Sequence, residues 1–175
     1  MSRNRIMVIG CPGAGKTTFS NELGKRLKLP VVHLDVLNWR DNWTPVSRET
    51  FDELLLKEVS CERWIIDGNY GRTIPLRLKY ADVVVYMDYS KITCILGALK
   101  RVVRNYGKSR EDMGSNCPER FDLDFIKYIW TFNEANREKY YEVLSKEANI
   151  EVFVVRNRRE ATQLMDKLIY VAFCR

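Results

Sequence analysis

The stretch Ile6-Met7-Val8-Ile9-Gly10-Cys11-Pro12-Gly13-Ala14-Gly15-Lys16-Thr17-Thr18 decides the fold. Its first four residues form a short apolar run that reads as a buried strand. Gly10 to Thr17 match the pattern G-x-x-x-x-G-K-[ST], and Thr17 to Leu27 read as a helix. Strand, glycine-rich turn and helix in that order make a cradle for a polyphosphate. Several backbone N–H groups must converge on the phosphates, and glycines permit the close approach and unusual dihedrals this needs. The helix that opens at the loop adds the positive end of its dipole. The expected nucleotide-binding residues are Gly10, Gly13, Ala14, Gly15, Lys16, Thr17 and Thr18. Lys16 reaches the β- and γ-phosphates, and the Thr17 hydroxyl ligates Mg²⁺.

Outward from this loop, apolar strand-like runs alternate with helix-like stretches. Val31 to Leu34, Trp64 to Ile66, Val83 to Met87 and Val152 to Val155 read as further strands. Ser47 to Ser60, Lys91 to Asn105, Leu123 to Ala148 and a last segment from Arg159 read as helices, with Ser47 a candidate N-cap. Five apolar strands separated by helices imply a parallel sheet covered on both faces. A three-layer α/β domain is the expected class. In such sheets ligands bind beyond the carboxyl ends of the strands.

The length of 175 residues corresponds to about one domain. At that size a chain with 46% hydrophobic residues builds its own core. Nothing in it is long and apolar enough to suggest a membrane span or a signal peptide; the run Leu168 to Cys174 is too short. The five cysteines are widely spaced, with one histidine, His33, to join them. That pattern disfavours a zinc site and a disulfide framework, and points to a reduced, cytoplasmic protein.

The net charge of +6 has one source. From Tyr89 to Arg110 stand Lys91, Lys100, Arg101, Arg104, Lys108 and Arg110 with no acidic residue. The remainder carries 23 basic and 23 acidic residues. A uniformly basic nucleic-acid coat is therefore disfavoured, although a local DNA contact through Lys100 to Arg110 stays open as the alternative function. For phosphoryl transfer, the late-helix cations Arg101 and Arg104, the loop residue Arg110 and Arg137 of the next helix are the candidate catalytic arginines that stabilise the transferring charge. The loop that follows, about residues 107–122, is read as a lid.

Carboxylates sit where strands end. Asp67 in Ile65-Ile66-Asp67-Gly68 is the candidate for holding the metal or its waters. Asp35 in His33-Leu34-Asp35 is the candidate for orienting or deprotonating an acceptor hydroxyl, with helix capping as the competing reading. Trp39 and Trp43 in a polar connection either stack on a planar acceptor or pack as a cover on the sheet edge. Asn69, Tyr70 and Arg72 follow Asp67 and are expected to line the same acceptor pocket, between segment 35–60 and the loop. Arg137 falls on the apolar stripe of its helix. An inward Arg needs an anion, either a phosphate or a buried carboxylate.

The order of these parts resembles the adenylate-kinase-like group of P-loop kinases. More narrowly, His33-Leu34-Asp35, Asn38-Trp39, Trp43, Ile65-Ile66-Asp67-Gly68-Asn69-Tyr70, Arg110-Glu111-Asp112-Met113 and Cys117-Pro118-Glu119-Arg120 resemble the DNA topology modulation proteins. The resemblance implies a P-loop NTPase fold like that of adenylate and shikimate kinases, with a five-stranded parallel sheet and a lid. It implies ATP and Mg²⁺ as cofactors, a nucleoside triphosphate and a small-molecule acceptor as partners, and Asp67 near the Mg²⁺. It also implies Arg101 or Arg104 near the adenine or phosphates, and Arg137 as an arginine after the lid. Adenylate kinases carry Asp-Gly-Phe-Pro-Arg where this chain has Asp67-Gly68-Asn69-Tyr70-Gly71-Arg72, which weakens transfer of AMP specificity. The expected assembly is a monomer or homodimer, and the sequence leaves the acceptor unnamed.

Overall fold

Strand β1 (Arg5–Gly10) is the axis of the sheet, and its carboxyl end runs directly into the phosphate loop. The computed structural model describes residues 3–110, 112–114 and 116–173; Glu111 of the lid motif and Cys174 of the terminal apolar run lie outside the described residues. Helix α1 (Lys16–Leu27) follows the loop, then β2 (Val31–His33) and a short α2 (Leu34–Asn38). A two-stranded antiparallel ribbon, β3 (Trp39–Arg40) and β4 (Thr44–Pro45), precedes α3 (Arg48–Val59). Strand β5 (Trp64–Asp67), α4 (Ile74–Leu78), β6 (Val83–Met87), α5 (Lys91–Asn105), α6 (Leu123–Ser145), β7 (Glu151–Val155) and α7 (Arg158–Phe173) complete the chain.

The main sheet has the order β2-β5-β1-β6-β7, and every neighbouring pair is parallel. This places β2 and β5 on one side of the phosphate loop and β6 and β7 on the other. Ile6, Met7, Val8 and Ile9 are fully buried, as are Val83, Val84 and Val85. Each such side chain contributes about 1.5–3 kcal/mol by leaving water. Unbroken apolar runs are what a sheet covered on both faces demands.

The five expected sheet strands are present, and Val83–Met87 and Lys91–Asn105 match their expected limits. Ser47 caps α3, its hydroxyl accepting from the Thr50 N–H at 3.1 Å. Three differences stand out. Leu34 opens α2 instead of ending β2, so Asp35 lies in a helical first turn. The ribbon β3–β4 and helix α4 were not expected, because each is too short to show a period. Helix α6 ends at Ser145, three residues before its expected end.

Candidate functional site

The loop Gly10–Lys16 is shaped by three glycines with positive φ, of which Gly13 (82°) and Gly15 (96°) would be strained in any other residue. Gly13 also has no room for a side chain, since a Cβ would stand 2.0 Å from the Cys94 carbonyl oxygen. Gly97, one turn further along α5, meets the Gly13 oxygen in the same way at 2.1 Å. The loop therefore lies backbone to backbone on α5. Beneath it the Cys11 thiol rests against Cys94; that contact and burial push Cys11 up, which keeps it a protonated packing group.

No side chain caps the start of α1, so its first N–H groups remain available to an anion. Lys16 Nζ donates to the Gly10 oxygen at 2.8 Å and to the Cys11 oxygen at 3.2 Å. The ammonium is thus held over the loop by the loop's own carbonyls.

At the root of the site the Thr17 hydroxyl donates to Asp67 Oδ2 at 2.9 Å. Asp67 is buried at 4% exposure. His33 Nδ1 lies 3.0 Å from the same carboxylate oxygen, and its Nε2 lies 3.0 Å from Asn21 Oδ1. Both ring nitrogens face oxygen acceptors, which favours the imidazolium. Burial opposes that charge, but Asp67 and the neighbouring carboxylates more than offset it, and the His33 pKa stands above its ordinary value. The Thr17 hydroxyl and Asp67 carboxylate are hard oxygen donors of the kind Mg²⁺ takes one or two of, alongside phosphate oxygens and water. The residues present fit such an ion.

A cleft of about 1200 Å³ runs over the loop. On its β2 and β5 half stand Asp35, Trp39, Trp43, Asn69 and Tyr70. The Tyr70 hydroxyl donates to Asp35 Oδ1 at 2.8 Å, and the Tyr70 ring stacks on Phe51 at 4.8 Å. Burial raises the Asp35 pKa above the usual carboxylate range, and the Tyr70 bond partly counters it. Asn69 Oδ1 accepts the Gly10 N–H at 2.9 Å, tying the turn after β5 to the phosphate loop. The same turn is braced from below by fully buried Arg77, which donates to the Gly68 and Asn69 oxygens.

The segment 107–122 closes against the ribbon. The Asn42 N–H donates to the Asn116 oxygen at 3.1 Å, Trp43 Nε1 to the Pro118 oxygen at 3.3 Å, and the Cys117 thiol to the Arg40 oxygen at 3.2 Å. Gly114 lies on the Trp39 carbonyl, where a Cβ would approach to 1.9 Å. Trp39 and Trp43 meet edge to face at 5.8 Å. The two tryptophans thus both line the cleft and form part of its cover.

Cations gather on the other half. Lys100, Arg101 and Arg104 from the end of α5 line the cleft, joined by Arg158 from the start of α7. Glu119, buried at 4% exposure, holds two arginines: Arg101 Nε at 3.0 Å and Arg110 Nε at 3.1 Å. Arg110 also pairs with Asp112 at 3.0 Å. Burial lowers the Arg101 pKa and Glu119 works against that fall.

Two expected site residues lie elsewhere. Arg72 is half-exposed and forms a two-pronged pair with Asp52 of α3 at 2.7 Å. Arg137 does not reach the cleft either. It is half-exposed and pairs with the buried carboxylate of Asp88 at 2.7 Å, where the Tyr141 hydroxyl also donates. Of its two open partners, the structure gives it the carboxylate. The remaining expected nucleotide, metal and acceptor residues surround one cleft, apart from Gly10, whose N–H binds Asn69 at its floor. Glu119, Asp112 and Arg158 of its lining were not expected there, nor were His33 and Arg77, which support Asp67 and the turn after β5 from behind. For Glu119 the available signal was an acidic residue embedded among lid cations.

No protein-family model matches the chain. Its sequence is similar to the cytidylate kinase of Pyrobaculum aerophilum, at 27% identity over 139 residues, 71% of this chain and 72% of that protein. It is similar to the cytidylate kinase of Pyrobaculum arsenaticum at 25% over the same coverage. Its fold matches the crystal structure of shikimate kinase from Bacteroides thetaiotaomicron with a TM-score of 0.56 and 16% identity, covering 96% of this chain and 97% of that one. The fold is the α/β P-loop NTPase fold with a five-stranded parallel sheet. Among the described residues, no helix is long and apolar enough to cross a membrane.

Proposed function

We propose that the protein is a P-loop, ATP-dependent phosphotransferase acting on a small hydroxyl- or phosphate-bearing acceptor. The observation that carries this reading is one cleft that holds the Gly13–Thr18 segment and its lysine beside a half-buried carboxylate, Asp35. Sequence similarity to two cytidylate kinases supports it. Among such kinases, the quoted motifs fit the DNA topology modulation group. A cytoplasmic location accompanies this reading.

The loop amides and the start of α1 bind the β- and γ-phosphates. Lys16 exchanges its carbonyl partners for phosphate oxygens. Thr17 and Asp67 would hold Mg²⁺, which would supply neutralisation of phosphate charge. The acceptor oxygen forms its bond to the γ-phosphorus as the bond to the β–γ bridging oxygen breaks. ADP leaves with that oxygen, and the acceptor proton passes to Asp35. Arg101 and Arg104 face the charge that spreads over the γ-phosphoryl oxygens; Arg110, the third expected candidate, stays with Asp112 and Glu119. Segment 107–122, latched to the ribbon, excludes water from the transfer.

The test is ATP consumption with a panel of small hydroxyl compounds, comparing the unaltered chain with Lys16→Ala. The expected result is acceptor-dependent turnover that the variant lowers by about 10³-fold. Turnover retained by Lys16→Ala would overturn the reading.

A further inference from the structure

The cleft is electrically lopsided, and the lopsidedness follows the strand order. Lys100, Arg101 and Arg104 arrive on α5, after β6, and Arg158 on α7, after β7. Asp35 arrives after β2, and Asp67 with Tyr70 at the end of β5. Asp112 is carried to the same side by segment 107–122, close enough that its charge acts on His33.

The cations that belong to the acidic half are committed. Arg72 is tied to Asp52 and lies outside the cleft. Arg77 is fully buried and spent on the Gly68 and Asn69 carbonyls. The His33 ring is held between Asp67 and Asn21. Arg110 enters this half with Asp112 and Glu119 both on its guanidinium. Arg120, at the rim, lies over the Trp43 ring.

We infer that the acceptor is an uncharged hydroxylated ring compound, such as a nucleoside or a sugar-like polyol, and carries no phosphate of its own. The inference rests on the phosphotransferase reading above. A phosphomonoester placed on the acidic half would meet Asp35 and Asp112 with no unpaired guanidinium beside them among the described residues. Like charges that face each other in a partly dry site exclude such a ligand. The same carboxylates accept hydrogen bonds from hydroxyl groups, and Asp35 is placed to receive the proton of the one that reacts. Trp39 and Trp43 supply apolar faces suited to a flat ring. Lys100 and Arg104 of α5 suit the triphosphate of the donor, and Arg101 stands between the two halves, sharing Glu119 with Arg110.

The experiment compares paired acceptors with ATP: cytidine, uridine, adenosine and guanosine against their 5′-monophosphates, with shikimate as an anionic ring and myo-inositol as a neutral polyol. Turnover is read as ADP release and as labelled product. Acceptor binding is read by calorimetry in the presence of a non-hydrolysable ATP analogue. The expected result is that a neutral compound is phosphorylated, or bound with the analogue, at least ten-fold better than its phosphorylated or carboxylated counterpart. Nucleosides responding alone would identify a base-bearing acceptor, and inositol responding alone a polyol. Asp112→Asn, which removes one carboxylate and releases Arg110, should narrow that preference several-fold while ATP affinity stays within about two-fold. A monophosphate preferred over its nucleoside in the unaltered chain, with turnover lost in Lys16→Ala, would overturn this inference and leave the kinase reading standing. Calorimetry that shows no ATP binding would overturn the kinase reading itself. ATP binding with no response to any neutral compound would overturn the inference alone.

Discussion

On the β6 and β7 half of the cleft, the phosphate loop rests on α5 through main-chain atoms, Gly13 against the Cys94 carbonyl and Gly97 against the Gly13 carbonyl. On the β2 and β5 half, shape comes from side chains of distant segments: Tyr70 on Phe51 and Asp35, and Trp43 on Pro118. The first kind of contact leaves little freedom, and in the proposed function it serves what all nucleoside triphosphates share. The second is adjustable residue by residue, which suits the part of a kinase that must distinguish one acceptor from another.

Four substitutions would break or sharpen this contrast. Asp35→Asn removes the proton acceptor from the adjustable half, so turnover should fall by about 10²–10⁴-fold. ATP affinity, measured by calorimetry, should hold. A matching loss of ATP affinity would mean that the two halves are not separable. Gly97→Ala acts on the rigid half. Its methyl group would collide with backbone that has nowhere to go, at a cost of about 1–3 kcal/mol. A lower thermal midpoint together with weaker ATP binding is expected, and an unchanged midpoint would show that the loop yields more easily than its packing implies.

Tyr70→Phe makes a finer cut. Burial holds the Asp35 pKa above the carboxylate range, and the Tyr70 hydrogen bond holds it below where burial alone would put it. A base with a raised pKa works only once pH exceeds that value, so turnover should fall off on the acid side at a higher pH than an ordinary aspartate gives. Loss of the hydroxyl should move that acid limb higher still, as read from the pH dependence of kcat/KM. A shift to lower pH would assign the limb to another group. Arg72→Ala should do least. Its partner Asp52 is a solvent-exposed carboxylate outside the cleft, and surface pairs of this kind contribute little. Turnover and thermal midpoint should both stay as they are; a lost activity would restore Arg72 to the acceptor pocket.

The same contrast explains what could be read from the sequence. The rigid half is written in consecutive residues, Gly10 to Thr18, and in strands whose apolar runs announce burial. Both signals are local, so the sheet and the phosphate cradle were legible. The adjustable half depends on contacts between residues tens of positions apart. Nothing in the neighbourhood of Arg72 reveals that Asp52 waits on α3, and nothing near Arg137 ranks Asp88 above a phosphate. Arg77 shows the limit most sharply. A charged residue in a five-residue helix reads as surface, yet it is fully buried because two carbonyls of the turn after β5 need a donor. Glu119 was hidden for the opposite reason: its partners Arg101 and Arg110 were visible as a cluster, but their common counter-charge was not.

The seat of the phosphate loop on Gly97 has a mechanical meaning. A helix does not stretch, and each residue advances its axis by about 1.5 Å. Between Gly97, where α5 is anchored to the loop, and Arg104, the interval is set at about 10 Å. Helix α5 is therefore a ruler with its zero mark at the phosphate loop and its graduations at Lys100, Arg101 and Arg104. Those cations therefore keep fixed distances from the loop, and insertion of one residue between Gly97 and Lys100 would displace all three at once.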